Sequence, residues 1–426
     1  MSHRRAFVHG GLPLLVLIVV LAACAGTNPA DGGWTRQFGT SGNDHAWGVG
    51  VAADGGYFVA GGTTGSLDGT VNDGGDDAFV IRLAGNGSPT WTHQSGTAGN
   101  DRAMGLAVDA MGRVAVVGMT DGALEGQPHA GGDDAFVLVL DGAGQPVWHR
   151  QFGTAAADWA IGVAVDDAGN VAVCGRTAAG LDGQPHAGDV DAFVRSFDRD
   201  GQHQWTAQFG TAGSDVCLDV AGDGDGNWVV VGFTAGSLDG QAHAGGLDAF
   251  VRKLSAQGAV VWTHQFGTGA ADRAYGVAID ANGDILVVGT TYGALDGQTQ
   301  VGASDAFLRR LDAGGNVLWT RQFGSADADE AWGVAIDAAG HAVVAGTTSG
   351  SLANGANFGG DDAFARAFDA TGVTVWNRQF GTPQADRAFR VAADASGGVL
   401  VAGETAGSLR GANRGGSDAF VRLLRP

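Results

Sequence analysis

Three histidines offer themselves first as metal ligands. His129, His186 and His243 sit in Gln-Pro-His-Ala-Gly or Gln-Ala-His-Ala-Gly, each 57 residues after the last. Zinc needs its ligands converging within about 2.0–2.3 Å of one ion. Equivalent loop points converge only if they face a common axis, so polar loop tips are the expectation. Aspartates recur on the same spacing, from Asp44 to Asp386 and from Asp77 to Asp418. They could ring a channel and bind cations, but aspartates beside turns ordinarily accept backbone N–H bonds. Asp223-Gly224-Asp225-Gly226-Asn227 opens like a calcium loop, yet Thr234 holds the twelfth position where a bidentate glutamate belongs. Arg195, Arg252, Arg309, Arg366 and Arg422 occupy one position of five copies, while Ile81 and Leu138 break the series. Such arginines either stack on aromatic rings or form an anion site. No Ser-His-Asp set, Cys-His pair or phosphate-cradling loop stands apart from this background. Catalysis usually makes one copy unlike its neighbours, so no catalytic residue, bound metal or cofactor is expected.

What must position these residues is a repeat. Trp34, Trp91, Trp148, Trp205, Trp262, Trp319 and Trp376 are 57 residues apart, and Gln37 to Gln379 and Gly39 to Gly381 keep the same period. An Asp-Ala-Phe recurs from Asp77 to Asp418. Each of the seven copies holds four short runs rich in β-branched and aromatic residues, bounded by Gly, Asn and Asp. In the fifth copy they are Val261–Phe266, Tyr275–Asp280, Ile285–Thr290 and Asp305–Leu311. Four strands repeated seven times predict an all-β, seven-bladed β-propeller of four-stranded antiparallel blades. Tight turns join runs two to three and four to one, and a long loop separates three from four. This spacing puts run four of one copy in a sheet with runs one to three of the next. The final strand, Asp418–Leu424, is expected to pair with the first copy and close the ring, leaving no exposed edge. A turn about Gly314 places Arg309 opposite Trp319 and Phe307 opposite Arg321, an aromatic–arginine ladder within the blade. Trp205→Ala is expected to lower stability by about 3–5 kcal/mol.

The chain has 426 residues, 76 of them glycine, with 44% hydrophobic and 16% charged residues and a formal charge of −21. That builds a core, and its acidity disfavours nucleic acid, which wants a basic stripe. Arg4 and Arg5, an apolar run from Leu12 to Leu21 and then Leu21-Ala22-Ala23-Cys24 read as an export signal. Cys174 and Cys217 fall in apolar stretches and read as small buried thiols, with pairing left open.

The Leu-Ala-Ala-Cys end resembles the lipobox of bacterial lipoproteins. That resemblance implies a signal peptide at 1–23, a lipid on Cys24, a tether at 24–33 and a propeller at 34–426. It also implies attachment to a membrane through Cys24, with Ala25 favouring the outer membrane. The Asp-Ala-Phe-Val strand (Asp248–Val251), the Gly-x-x-x-Trp element, the Phe-Gly-Thr turn leading to Asp272 and the Val-Val-Gly-Thr-Thr strand resemble the bacterial SBBP β-propeller repeats of cell surfaces. The chain departs from that pattern after the Thr, with Gly-Ala-Leu-Asp-Gly (Gly293–Gly297). Asp141 to Trp148 is similar to the docking element of quinoprotein dehydrogenases, but no adjacent cysteine pair accompanies it. The expectation is therefore a monomeric, non-enzymatic, lipid-anchored propeller at the outer membrane or cell surface. It would act as a binding or structural module, with a protein or glycan partner on the long-loop face. The alternative is a quinone- or metal-dependent enzyme using the channel mouth.

Overall fold

A computed structural model describes residues 32–352 and 355–425; Cys24, the signal region and most of the tether lie outside them. Among the described residues twenty-eight strands form seven four-stranded antiparallel sheets. In the fifth copy the strands are Val260–Phe266, Asp272–Ile279, Ile285–Thr291 and Asp305–Leu311, close to the four runs read from sequence. Among the described residues no helix is long and apolar enough to cross a membrane.

The blade division differs from the expected one. Each sheet takes runs two, three and four of one copy and run one of the next, as in Asp44–Val51, Tyr57–Thr63, Asp77–Leu83 and Pro89–Ser95. The chain crosses between blades at the short link from run one to run two, not at the long loop. That link is fixed locally: Thr268 N and Oγ1 donate to Asp272 Oδ2 at 2.6 and 2.9 Å. The Asp44–Asp386 series therefore caps the crossing.

Closure occurs as expected. Asp418–Leu424 lies between Val399–Thr405 of the seventh copy and Trp34–Phe38 of the first, pairing Leu423 with Trp34 and Ala419 with Phe38. Gln37 Nε2 donates to Asp418 Oδ2 at 2.9 Å, tying the two ends of the ring together. The same glutamine bond recurs in the other copies, as from Gln265 to Asp248 at 2.8 Å.

Blades meet through the repeated rings. The phenylalanine of Asp-Ala-Phe packs edge-on against the outer-strand phenylalanine of the preceding blade; Phe266 and Phe307 are 5.7 Å apart at 80°. Trp34, Trp91, Trp148, Trp205 and Trp319 also span a junction, each indole N–H donating to a turn carbonyl of the following blade. Trp148 Nε1 donates to Arg199 O at 3.2 Å, and its ring lies on Gly201, whose φ is +76°. A β-carbon at Gly201 would stand 2.6 Å from that ring, so only glycine fits. Trp148 is 8% exposed, whereas Trp205 remains half-buried. Trp148→Ala is therefore expected to lose about 3–5 kcal/mol, and Trp205→Ala only about 2 kcal/mol in proportion to the area it covers. Denaturant melts of both variants check the difference.

The arginine register is corrected by one residue. Arg309 stands opposite Thr320 and Phe307 opposite Gln322, because a bulge between Arg310 and Leu311 shifts the hairpin. The guanidinium groups do stack on rings, but on the preceding blade. Arg309 lies 3.8 Å from the Phe266 centroid, Arg252 3.9 Å from Phe209, and Arg422 4.6 Å from Phe380. Stacking across the junction leaves the head free for the loop aspartates: Arg309 pairs with Asp296, Arg252 with Asp239 and Arg195 with Asp182. The Leu-Asp-Gly departure from the SBBP pattern thus has a structural use. Leu238 is buried, Asp239 holds the arginine, and both Asp239 and Gly240 adopt positive φ. In the second copy Leu138 replaces the arginine, and the loop's Glu125 is met by His93 and His149, each at 3.5 Å. The two imidazoles beside it, His149 above all, hold that carboxyl well below its usual range.

Candidate functional site

The inner strand of every blade begins with the capped aspartate and turns its fourth residue toward the axis. These fourth residues are Trp47, Met104, Ile161, Leu218, Tyr275, Trp332 and Phe389. They line a cavity of about 390 Å³, joined by Trp159, Phe233, Arg176 and Arg390. Tyr275 and Trp332 are stacked at 4.1 Å and 24°, and Phe389 stands edge-on to Trp332 at 6.0 Å. Burial pushes the Tyr275 hydroxyl up to about 12, so it stays neutral. The cavity lining comes from the half of the inner strands nearer the long loops, the end where Asp44 pairs with Thr63.

Each of these axial residues is the unpaired residue of a bulge, and the next position of the strand, its fifth, is Gly48, Gly105, Gly162, Gly276 and Gly333 in five copies. Close approach of the inner strands requires this glycine. A β-carbon on Gly105 would stand 2.5 Å from Ile161 O, and one on Gly162 2.7 Å from Asp219 Cα. The other two copies carry Asp219 and Arg390. Asp219 Oδ2 accepts the Val277 N–H at 3.0 Å, and Arg390 Nη1 donates to Trp332 O at 3.0 Å. Burial raises the Asp219 carboxyl, with the Arg390 charge and the N–H groups of Val277 and Val220 opposing it. These two residues break the sevenfold pattern on the axis itself. The signal was present in the sequence as two charged residues in a column of glycines, but nothing in the sequence places that column at the centre.

Around the rim, charges are mostly paired. Arg102 meets Asp76, Trp159 Nε1 donates to Asp133 at 2.8 Å, and Arg387 contacts Asp361 at 2.7 Å and Glu404 at 3.0 Å. Arg176 and Arg390 differ. Among the described residues neither has a carboxylate within ion-pair distance, and Arg176 lies 3.6 Å over the Trp159 ring with a buried Nε lacking a partner.

The other sequence candidates do not converge. His129, His186 and His243 sit on exposed loops of successive copies; His129 Nε2 meets Gly132 O at 2.8 Å, while His186 and His243 lie 3.3 Å from Asp191 and Asp248. Among the described residues no three His, Cys, Asp or Glu side chains gather as a metal site. Asp223 spends its carboxylate on the N–H groups of Asp225 and Asn227 and on Lys253. Asp141 likewise holds a turn through Ala143 and Gln145. Cys174 and Cys217 are buried free thiols in one apolar cluster, and burial with the neighbouring thiol raises Cys174.

The aspartate series lies at blade junctions, not in the channel. Asp44, Asp101, Asp158, Asp215, Asp272, Asp329 and Asp386 all have carboxyls raised by burial, the threonine bonds opposing it. For a raised carboxyl, the folded chain binds more protons than the unfolded one between the ordinary and the raised value. Stability therefore falls as pH rises through that window and is level above it. Asp272→Asn keeps an acceptor for Thr268 and faces Asp248, whose Oδ1 has no partner. The variant is expected to gain about 1 kcal/mol at pH 7 and to flatten this part of the pH profile, as read by melts from pH 4 to 8.

The SBBP β-propeller repeat model matches residues 147–182 and 261–295. The chain thus carries repeats of this type on a seven-bladed frame. The regulatory protein FlaEY of Caulobacter vibrioides is 28% identical over 191 residues, covering 41% of this chain and 20% of that protein. This chain therefore aligns with about a fifth of that relative's length. Among solved structures, the WD40 domain of Neurospora crassa Pan2 is 9% identical over 89% of each chain, with a TM-score of 0.48. The β-propeller domain of the trilobed protease from Pyrococcus furiosus is 9% identical over 90% of this chain and 96% of that one, at 0.47. Puromycin hydrolase is 13% identical over 86% of this chain and 50% of that one, at 0.48.

Proposed function

We propose that the protein is an exported, lipid-anchored propeller of the outer membrane or cell surface, working as a binding module and not as an enzyme. Its ligand is a small molecule held in the aromatic cavity on the channel axis. One observation carries this reading: the repeated polar residues are used in building and locking blades, while the cavity is lined by residues that differ from copy to copy. A volume near 390 Å³ with aromatic walls and two guanidinium groups lies within the roughly 300–1,000 Å³ of ordinary ligand pockets. The lipid anchor rests on Leu21-Ala22-Ala23-Cys24, and a protein or glycan contact on the surrounding long loops remains compatible with it.

Two measurements test the reading. Fatty-acid labelling in the native host is expected to mark the wild type and not Cys24→Ser. Native mass spectrometry of the exported Cys24→Ser chain is expected to show a small organic adduct that Trp332→Ala loses. A bare mass in the parent chain, together with turnover abolished by changing one copy, would contradict it and favour the enzyme reading.

A further inference from the structure

We propose that the axial cavity selects a flat aromatic acid: a ring system of about two fused rings carrying one carboxylate, with the acid group turned to Arg390 and Arg176. This rests on the binding reading above and adds the chemical class of the ligand. The walls set the first half. Stacked Tyr275 and Trp332, with Phe389 edge-on, present ring faces and edges suited to a planar partner. A sugar would bring many hydroxyls to a wall with few polar side chains to bond them, and buried hydroxyls without partners are costly.

The charge sets the second half. The charged side chains lining the cavity are both guanidinium groups, in a chain whose formal charge is −21. Each is peculiar to its copy: Arg390 stands where five copies have glycine, and Arg176 where others have Gly62, Met119, Phe233, Thr290, Thr347 and Glu404. Arg176 has an Nε without a partner. Arg390 uses Nη1 on Trp332 O, which leaves further donors in its fork. Asp219 accepts the Val277 N–H, so the carboxylate on the axis is engaged by the backbone and does not line the cavity. A cationic ligand would face two guanidinium groups that make no ion pair among the described residues, with Asp219 and Asp133 acting on them only from farther off, whereas a carboxylate is offered charge-assisted bonds in a largely apolar surround.

Isothermal titration of the exported Cys24→Ser chain with three isosteric probes tests this: naphthalene-2-carboxylate, 2-naphthylmethanol and 2-naphthylmethylammonium. The carboxylate is expected to bind at least tenfold more tightly than the alcohol, and the ammonium more weakly than either. Arg390→Gly restores the residue of five other copies and so keeps the fold, which its melting curve checks. It is expected to erase most of the carboxylate preference, with alcohol affinity changing far less. Arg176→Met, the residue of the second copy, is expected to erase part of it. Equal binding of carboxylate and alcohol, or a preference surviving both substitutions, overturns the acid specificity while leaving a binding cavity. Failure of all three probes to bind overturns the specificity and counts against the cavity as the site.

Discussion

Truncating the chain after Ser417 is expected to abolish the folded monomer. The strand removed, Asp418–Leu424, is the only bridge between Val399–Thr405 and Trp34–Phe38 among the described residues. Val421 and Leu423 pack in the cluster that holds Trp34 and Phe38, while Phe420 and Leu424 pack in the seventh-copy cluster. Four such side chains at roughly 1.5–3 kcal/mol each amount to about 6–12 kcal/mol. That is comparable with the whole net stability of an ordinary domain, about 5–15 kcal/mol. The truncation also leaves two unpaired edges, which invite association. Size-exclusion chromatography is expected to show aggregate, with a peptide of residues 414–426 restoring monomer when supplied during refolding. A truncated monomer melting like the full chain would mean that the ring does not depend on closure.

Gly267→Ala is expected to lower stability by about 3 kcal/mol. A β-carbon there would stand 2.6 Å from Asp248 Oδ1 and 3.0 Å from Asp272 Oδ2. Neither carboxylate is free to withdraw. Asp248 is held by Gln265 and the Ala244 N–H, and Asp272 by Thr268. Gly269, two residues on, has no atom within 4 Å of its β-position. Gly269→Ala is therefore expected to stay within about 0.5 kcal/mol of the parent. Equal losses from the two substitutions would mean that glycine is needed there for backbone freedom and not for the carboxylate pair.

The repeat made the fold readable because each blade buries the same residues at the same period. Trp148 on Gly201 and Phe266 on Phe307 are one contact made again and again, so composition and spacing carried it. Blade boundaries were less readable. Length marked the loop from run three to run four as the natural break, yet Leu238, Asp239 and Gly240 pin that loop to its own blade. The short Phe-Gly-Thr link makes the crossing instead, held by Asp272. The hairpin register failed for a local reason, the bulge at Arg310–Leu311, which alternation alone does not reveal. The cavity was the least readable. Trp47, Tyr275, Trp332 and Phe389 look like ordinary alternating strand residues until the ring turns them inward. Asp219 and Arg390 are charges in a glycine column whose position on the axis only the closed ring supplies.

The most direct measurement is a crystal structure of the exported Cys24→Ser chain grown with naphthalene-2-carboxylate. The rings are expected between Trp47, Tyr275, Trp332 and Phe389, with the carboxylate on Arg390 and Arg176. Density for the acid on the long loops, or an axial cavity filled by its own side chains and closed to ligand, would contradict the assignment of function to the channel axis.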